Sequence, residues 1–133
     1  MAKRIFDTNV LIAHWQRCKK RLSGDPTSAE AEDWARVLIK THGTRAIVTP
    51  VYVEFIVGTL SSEQLKQSRA FLGQFDCVDS MAILPTDWKE AIRIASRVPR
   101  MPAPRQLGDC LISAIARRLK YEVLTSDMDF PHA

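Results

Sequence analysis

The sequence has no hydrophobic run near the roughly 18 residues that a membrane-spanning helix needs. Its first residues are not followed by the apolar segment that is typical of a signal peptide. It has only three cysteines, Cys18, Cys77 and Cys110, and they form no Cys-x-x-Cys pair. Neither a disulfide framework nor a thiolate metal site is therefore expected. We expect a soluble, cytoplasmic protein with no membrane association.

Glycine is also scarce, with five residues in a chain of 133, and no P-loop, Gly-x-Gly-x-x-Gly fingerprint or nucleophile elbow occurs. The three histidines, His14, His42 and His132, lack metal-ligand spacing, so we expect each to be structural or exposed. These absences argue against nucleotide-phosphate loops, zinc sites and serine hydrolases. The length predicts one domain that spans residues 1–133.

The chain alternates between short apolar segments and amphipathic helical patterns. Alternation of this kind predicts an α/β protein whose parallel sheet is covered by helices. The third helix is expected to bury Trp88, Ala91, Ile92, Ala95 and Val98, and a proline-rich surface loop is expected near residues 99–106. The predicted strands lie at 4–6, 46–49, 78–84 and 122–125, and the predicted helices lie at 27–42, about 63–75, from 86 onward, and 107–120. Thr27-x-x-Glu30 predicts a capping box at the start of the first of these helices and Gly43 predicts its end, while Ser61-x-x-Gln64 predicts the start of the second.

Five of the 15 acidic residues occupy unusual positions. Two of these acids interrupt apolar helical patterns, and the other three follow predicted strands. The remaining ten acids, which include Asp79 and Asp87, are expected to face solvent in helix starts and loops. The five unusual acids are Asp7 after the first strand, Glu54 within an apolar run, Asp109 at the start of a hydrophobic helix, and Asp127 and Asp129 after the last strand.

The carboxyl ends of parallel strands meet at one edge of a sheet, so these acids are expected to converge there. Clustered carboxylates repel one another, and a hard divalent cation such as Mg²⁺ or Mn²⁺ would relieve that repulsion. Each acid also has an ordinary structural explanation. Asp7 could cap a helix, Asp109 could stabilise a helix dipole, Asp127 and Asp129 could form turns, and Glu54 could pair with an arginine.

Four segments in order resemble a PIN domain, most closely the toxin ribonucleases of the VapC type. They are residues 7–12 (DTNVLI), 53–55 (VEF), 108–116 (GDCLISAIA) and 124–130 (LTSDMDF). The resemblance implies a three-layer α/β/α sandwich with a central parallel sheet. It also implies Mg²⁺- or Mn²⁺-dependent endonucleolytic cleavage of RNA, and in the toxin branch a cognate antitoxin protein and a homodimer.

The same resemblance assigns roles to individual residues. Asp7, Glu54 and Asp109 match the three core catalytic acids of the family, Asp127 matches the fourth, and Asp129 matches a further metal-ligand position. Neighbouring polar side chains could orient these carboxylates through hydrogen bonds. They are Thr8, Asn9, Thr125 and Ser126, among which Asn9 and Thr125 are the favoured pair.

Substrate contacts are expected from the proline-rich loop that precedes Asp109. Its Arg100 and Arg105 would lie beside the predicted site, where they could bind an RNA backbone. Outside the five unusual acids, the chain carries 19 basic and 10 acidic residues. That excess of positive charge suits a polyanionic substrate.

One departure from the family pattern concerns the end of the chain. Family members usually continue into a further strand after the Asp-Phe pair, whereas only three residues follow Phe130 here. We expect the sheet to lack its last edge strand, to expose that edge, or to complete it from a partner. The alternative function is a catalytically inert PIN-like module that binds RNA or protein, and a DNA substrate also stays open.

Overall fold

Four short parallel strands form the central sheet of the computed structural model, which describes residues 2–59, 61–97, 106–126 and 130–131. The strand order is β3-β2-β1-β4, and within the described ranges six helices flank the sheet. This arrangement confirms the predicted α/β class and the central parallel sheet. In chain order the elements are β1 Arg4–Phe6, α1 Thr8–Lys19, α2 Ser28–His42, β2 Ala46–Ile47, α3 Thr49–Val57, α4 Ser62–Leu72, β3 Asp76–Cys77, α5 Pro85–Ala95, α6 Leu107–Leu119 and β4 Glu122–Leu124.

The strand register determines which residues emerge together at the carboxyl edge. Phe6 of β1 pairs with Leu124 of β4, so the next residue of each chain segment, Asp7 and Thr125, leaves the sheet side by side. On its other side β1 pairs with β2 through Ile5 and Ala46. β1 thus lies between β2, which leads into α3, and β4, which follows α6.

Local capping signals place α2 as expected. The Thr27 hydroxyl accepts a hydrogen bond from the Glu30 backbone N–H at 3.1 Å, and the Glu30 carboxylate accepts one from the Thr27 N–H at 2.9 Å. This is the reciprocal capping box that the sequence predicts. Gly43 ends the helix in the left-handed conformation at φ 69°, where glycine has no Cβ to clash.

The burial predicted for α5 was right for Ala91 and wrong for Trp88, Ile92 and Ala95, while Val98 lies outside the described residues. Trp88 is 45% exposed and Ile92 is 64% exposed, whereas Ala91 and Ile94 are buried. The helix packs against α6, where Ala91 and Ile94 join a small core cluster with Cys110. In the described part of the chain α5 is covered on that side, and its larger apolar side chains Trp88 and Ile92 stay at the surface.

The predicted strand at 78–84 was also wrong, because β3 ends at Cys77. Asp79 is buried, and its carboxylate accepts hydrogen bonds from the Thr49 N–H at 2.8 Å and the Thr49 hydroxyl at 2.9 Å. Ser80 and Met81 then adopt left-handed backbone angles, which end the extended conformation. Asp79 thereby anchors the start of α3 instead of facing solvent as expected.

Asp87 corrects a second expectation of solvent exposure, since it is only 1% exposed. Its Oδ1 lies 2.8 Å from Nε of Arg118, and its Oδ2 accepts the Leu84 N–H at 2.8 Å. The ion pair joins the start of α5 to the end of α6.

No helix in the described part of the chain is long and apolar enough to cross a membrane.

Candidate active site at the carboxyl edge of the sheet

The first predicted acid lies where β1 leaves the sheet. Asp7 is buried, and its backbone N–H donates to the Leu124 carbonyl at 2.8 Å, which extends the pairing with β4. The Thr125 hydroxyl donates a hydrogen bond to Oδ2 of Asp7 at 2.7 Å. The β1–β4 register thus orients the Asp7 carboxylate.

The second acid, Glu54, lies in the second turn of α3 and is half-buried. The Thr8 hydroxyl donates to Oε1 of Glu54 at 2.6 Å. Thr8 directly follows Asp7 and begins α1, so this bond connects the end of β1 to the middle of α3. It also explains why a carboxylate is tolerated in the apolar segment 51–57.

The Glu54 carboxylate also lies against the start of α6. A Cβ placed on Gly108 would come within 2.3 Å of Oε2 and 2.6 Å of Cδ of Glu54. An added Cβ would displace the Glu54 carboxylate, so this close approach depends on glycine at position 108. Asp109 is the next residue, in the first turn of α6, where the helix dipole favours a negative charge.

These contacts bring three of the predicted acids to one edge of the sheet. The Thr125 hydroxyl bonds to Asp7, and the Thr8 hydroxyl bonds to Glu54. Gly108 allows the start of α6, which carries Asp109, to lie beside Glu54. Carboxylate oxygens are the ligands that Mg²⁺ and Mn²⁺ prefer, so the donor chemistry fits such an ion. Within residues 2–59, 61–97, 106–126 and 130–131, however, no three His, Cys, Asp or Glu side chains form a metal-binding group.

The structure describes the four polar residues predicted to orient the acids, whereas four other predicted site residues lie outside the described ranges. Asn9 and Ser126 are described and exposed, and in the described part of the chain neither side chain hydrogen-bonds to a predicted acid. Thr8 and Thr125 make those bonds instead. The residues outside the described ranges are Asp127, Asp129, Arg100 and Arg105.

Two of the described residues illustrate the histidine and cysteine expectations. His14 is buried in α1 with Nε2 2.7 Å from the Trp34 carbonyl, and burial lowers its pKa from the usual 6.5. Cys110 is a buried thiol in α6. Both agree with the structural roles expected for them.

Gly108 is the site residue that sequence reasoning missed. A glycine in a helical pattern costs about 1 kcal/mol relative to alanine, so it calls for an explanation. Its partner is Glu54, 54 positions earlier in the chain, and only the folded structure shows that proximity.

Comparison with known proteins gives one significant result. The PIN domain family profile matches residues 4–133, which is nearly the whole chain. Searches of curated proteins and of solved structures gave no significant match.

Proposed function

Because the chain belongs to the PIN domain family, whose members are generally metal-dependent nucleases, we propose that it hydrolyses RNA phosphodiester bonds as a divalent-metal-dependent endoribonuclease. The observation that carries the proposal is the pair of hydroxyl-to-carboxylate bonds at the carboxyl edge of the sheet. Thr125 and Thr8 orient Asp7 and Glu54 at 2.7 and 2.6 Å. Gly108 leaves room for the Glu54 carboxylate beside the helix of Asp109.

In this proposal Asp7, Glu54, Asp109 and Asp127 are the catalytic acids, and with Asp129 they hold Mg²⁺ or Mn²⁺. A cation bound there would offset the negative charge of the attacked phosphate and make a water a better nucleophile. The protein's own contribution is orientation. Each threonine hydroxyl gives one carboxylate a hydrogen-bond donor that favours one orientation before substrate arrives.

Substrate binding in this proposal relies on positive charge near the acids. Arg100 and Arg105 immediately precede the Asp109 helix in sequence and would contact the RNA backbone. By contrast, Arg117 and Arg118 in the last turn of α6 form ion pairs with Glu90 and Asp87. Those two arginines therefore serve the packing of α5 on α6.

The test is cleavage of a mixed pool of structured RNAs by the purified protein, freed of any bound inhibitor, in Mn²⁺, Mg²⁺ or EDTA. We expect discrete fragments with metal and none with EDTA. Asp7→Asn and Asp109→Asn should each lower the cleavage rate by at least about 100-fold, since each removes a carboxylate charge from the site. Asp33→Asn is the matched control, because Asp33 is an exposed acid on α2 that pairs with Arg36.

A folded wild-type protein that binds RNA and cuts none of it would overturn the proposal. The inert RNA-binding module would then replace it. Fragments that persist unchanged in both site variants would indicate a contaminating nuclease.

Within this function we further propose the toxin role in a type II toxin–antitoxin pair, acting in the cytoplasm as a homodimer. The support is the resemblance of four sequence segments, including residues 7–12 and 124–130, to toxins of the VapC type. Induced expression in bacteria should stop growth, and Asp7→Asn should relieve the arrest. A small protein encoded beside the gene should bind the purified chain and block cleavage, and a lack of both growth arrest and such an inhibitor would leave a solitary RNA-processing enzyme.

A further inference from the structure

A cavity of about 280 Å³ lies between α1, α3 and α4, and Glu54 lines it whereas Thr8 and Gly108 do not. Glu54 lines this cavity and also accepts the Thr8 hydrogen bond, so the cavity adjoins the proposed catalytic acids. Its volume is close to the lower end of the range for small-molecule pockets, about 300 Å³. A group bound there would lie beside a substrate phosphate.

Two polar side chains that line the cavity have buried oxygen atoms with no hydrogen-bond partner among the described residues. They are Oε1 of Gln67 and Oγ1 of Thr59. Gln67 is only 4% exposed. Its amide nitrogen donates to Glu63 at 3.4 Å, so the carbonyl oxygen is the atom of this amide that has no partner among the described residues. Buried polar atoms in folded proteins are satisfied in roughly nine cases of ten, so these two oxygens beside one cavity are groups that a ligand could satisfy.

An aromatic ring completes the cavity. Trp15 lines it and is held by edge-to-face contacts with Phe55 and Phe71, at centroid distances of 5.6 and 5.2 Å. A fixed indole beside unsatisfied amide and hydroxyl groups suits a planar ligand that has a π face and adjacent hydrogen-bond donors and acceptors. Nucleobases have these properties, and unstacked RNA bases are commonly recognised in this way.

We infer that this cavity binds one unstacked nucleobase of the RNA substrate and gives the enzyme a base preference next to the cleaved bond, an inference that rests on the proposed function. Small side-chain rotations would bring the Gln67 carbonyl and the Thr59 hydroxyl, which solvent does not reach in this structure, to the edge of the base, and Trp15 would contact the ring. Lys19 also lines the cavity, where it forms a 3.3 Å ion pair with Asp25. Its ammonium group can contact a flanking phosphate.

The decisive variant is Gln67→Leu. Leucine has a similar size and removes the unsatisfied carbonyl, so the protein should fold and be at least as stable as the wild type. If the cavity reads a base, the wild type prefers one base at a position next to the cut, and Gln67→Leu reduces that preference by about tenfold, the scale of one lost base contact. Gln74→Leu is the matched control, because Gln74 lies beyond α4 and outside the cavity.

Cleavage is measured on short RNAs randomised at each position around one cut, with the fragment ends sequenced. A second readout needs no activity. The four nucleosides are titrated singly while the NMR signals of the Trp15 indole N–H and the Gln67 side-chain amide are followed, with arginine amide as the probe for a protein partner's side chain. We expect one nucleoside to shift both signals in the wild type and to bind more weakly to Gln67→Leu.

The two readouts separate the inference from the proposed function. Cleavage whose base profile is identical in wild type, Gln67→Leu and Gln74→Leu, with no nucleoside shift, would overturn the base pocket alone. A nucleoside that binds at Trp15 to a protein that cuts no RNA would support the pocket and overturn the nuclease. Binding of arginine amide in preference to all four nucleosides would identify a protein-binding pocket and overturn the inference.

Discussion

Substitution of Gly108 by alanine tests the geometry of the site most directly. The added Cβ would lie 2.3 Å from Oε2, 2.6 Å from Cδ and 2.8 Å from Oε1 of Glu54. Ordinary contacts at such a Cβ begin near 3.4 Å, so the carboxylate must retreat by about 1 Å or more. The Thr8 hydroxyl bonds to Oε1 at 2.6 Å, and the retreat would break or lengthen that bond.

The expected effect on stability is small, and the expected effect on activity is large. Alanine gains up to about 1 kcal/mol of helix propensity over glycine in α6. Glu54 is half-buried and can turn toward solvent, so the free energy of unfolding should change by no more than about 1 kcal/mol. A catalytic group misplaced by about 1 Å commonly costs about 100-fold in rate, and we expect that loss in RNA cleavage.

The assay combines RNA cleavage, thermal unfolding and Mn²⁺ titration followed by water-proton relaxation, which reports metal affinity without activity. Gly24→Ala is the control, because an added Cβ at Gly24 meets no atom within 4 Å. Glu54→Asp shortens the side chain by one methylene and so moves the same carboxylate as Gly108→Ala. The fold-loss of cleavage rate in the double variant should therefore be smaller than the product of the two single losses. A folded Gly108→Ala protein with wild-type cleavage and Mn²⁺ affinity would refute the reasoning.

Two further predictions concern the framework around the site. Burial lowers the pKa of His14 below 6.5, so the unfolded chain binds more protons between that lowered pKa and 6.5. The free energy of unfolding should therefore fall as the pH drops below about 6.5. Urea unfolding at about pH 7.5 and pH 5 measures this fall, which should be smaller in His14→Gln than in the wild type. A pH dependence that is the same in both proteins would contradict the prediction. Arg118→Met leaves the carboxylate of Asp87 buried without its guanidinium and should cost about 2–3 kcal/mol in unfolding free energy, whereas Arg117→Met, which breaks an exposed pair with Glu90, should cost less than about 1 kcal/mol. Equal losses in these two arginine variants would show that the buried pair contributes no more than the exposed one.

Elements defined by local signals were predicted well from the sequence. The capping box at Thr27, the glycine end at Gly43 and the serine cap at Ser61 act over three or four residues, and each marks a helix boundary in the structure. The first and last strands are also correct, because β1 and β4 are short apolar runs with clear boundaries. Their pairing placed Asp7 at the carboxyl edge as expected.

The failures share a different origin, since each depends on a partner about 30 residues away. Asp79 ends β3 early by bonding to Thr49, and Asp87 turns α5 toward Arg118. Neither partner lies within the windows that determine helix and strand periodicity, so the polarity of each acid suggested solvent exposure. The exposed Trp88 follows from the same orientation of α5.

The same distinction explains which parts of the candidate site were predictable. The acids were recognisable because a carboxylate after a strand, or within an apolar helix, is unusual in itself. The groups that orient them were not, because the choice between Thr8 and Asn9 depends on how α1 is rotated about its axis. Asp7 directly follows β1 and is buried, and the turn into α1 then directs Thr8 inward and Asn9 to solvent. The candidate acids at this edge were therefore recognisable from residue type, whereas their positions depend on the register of β1 and on the space that Gly108 leaves for Glu54.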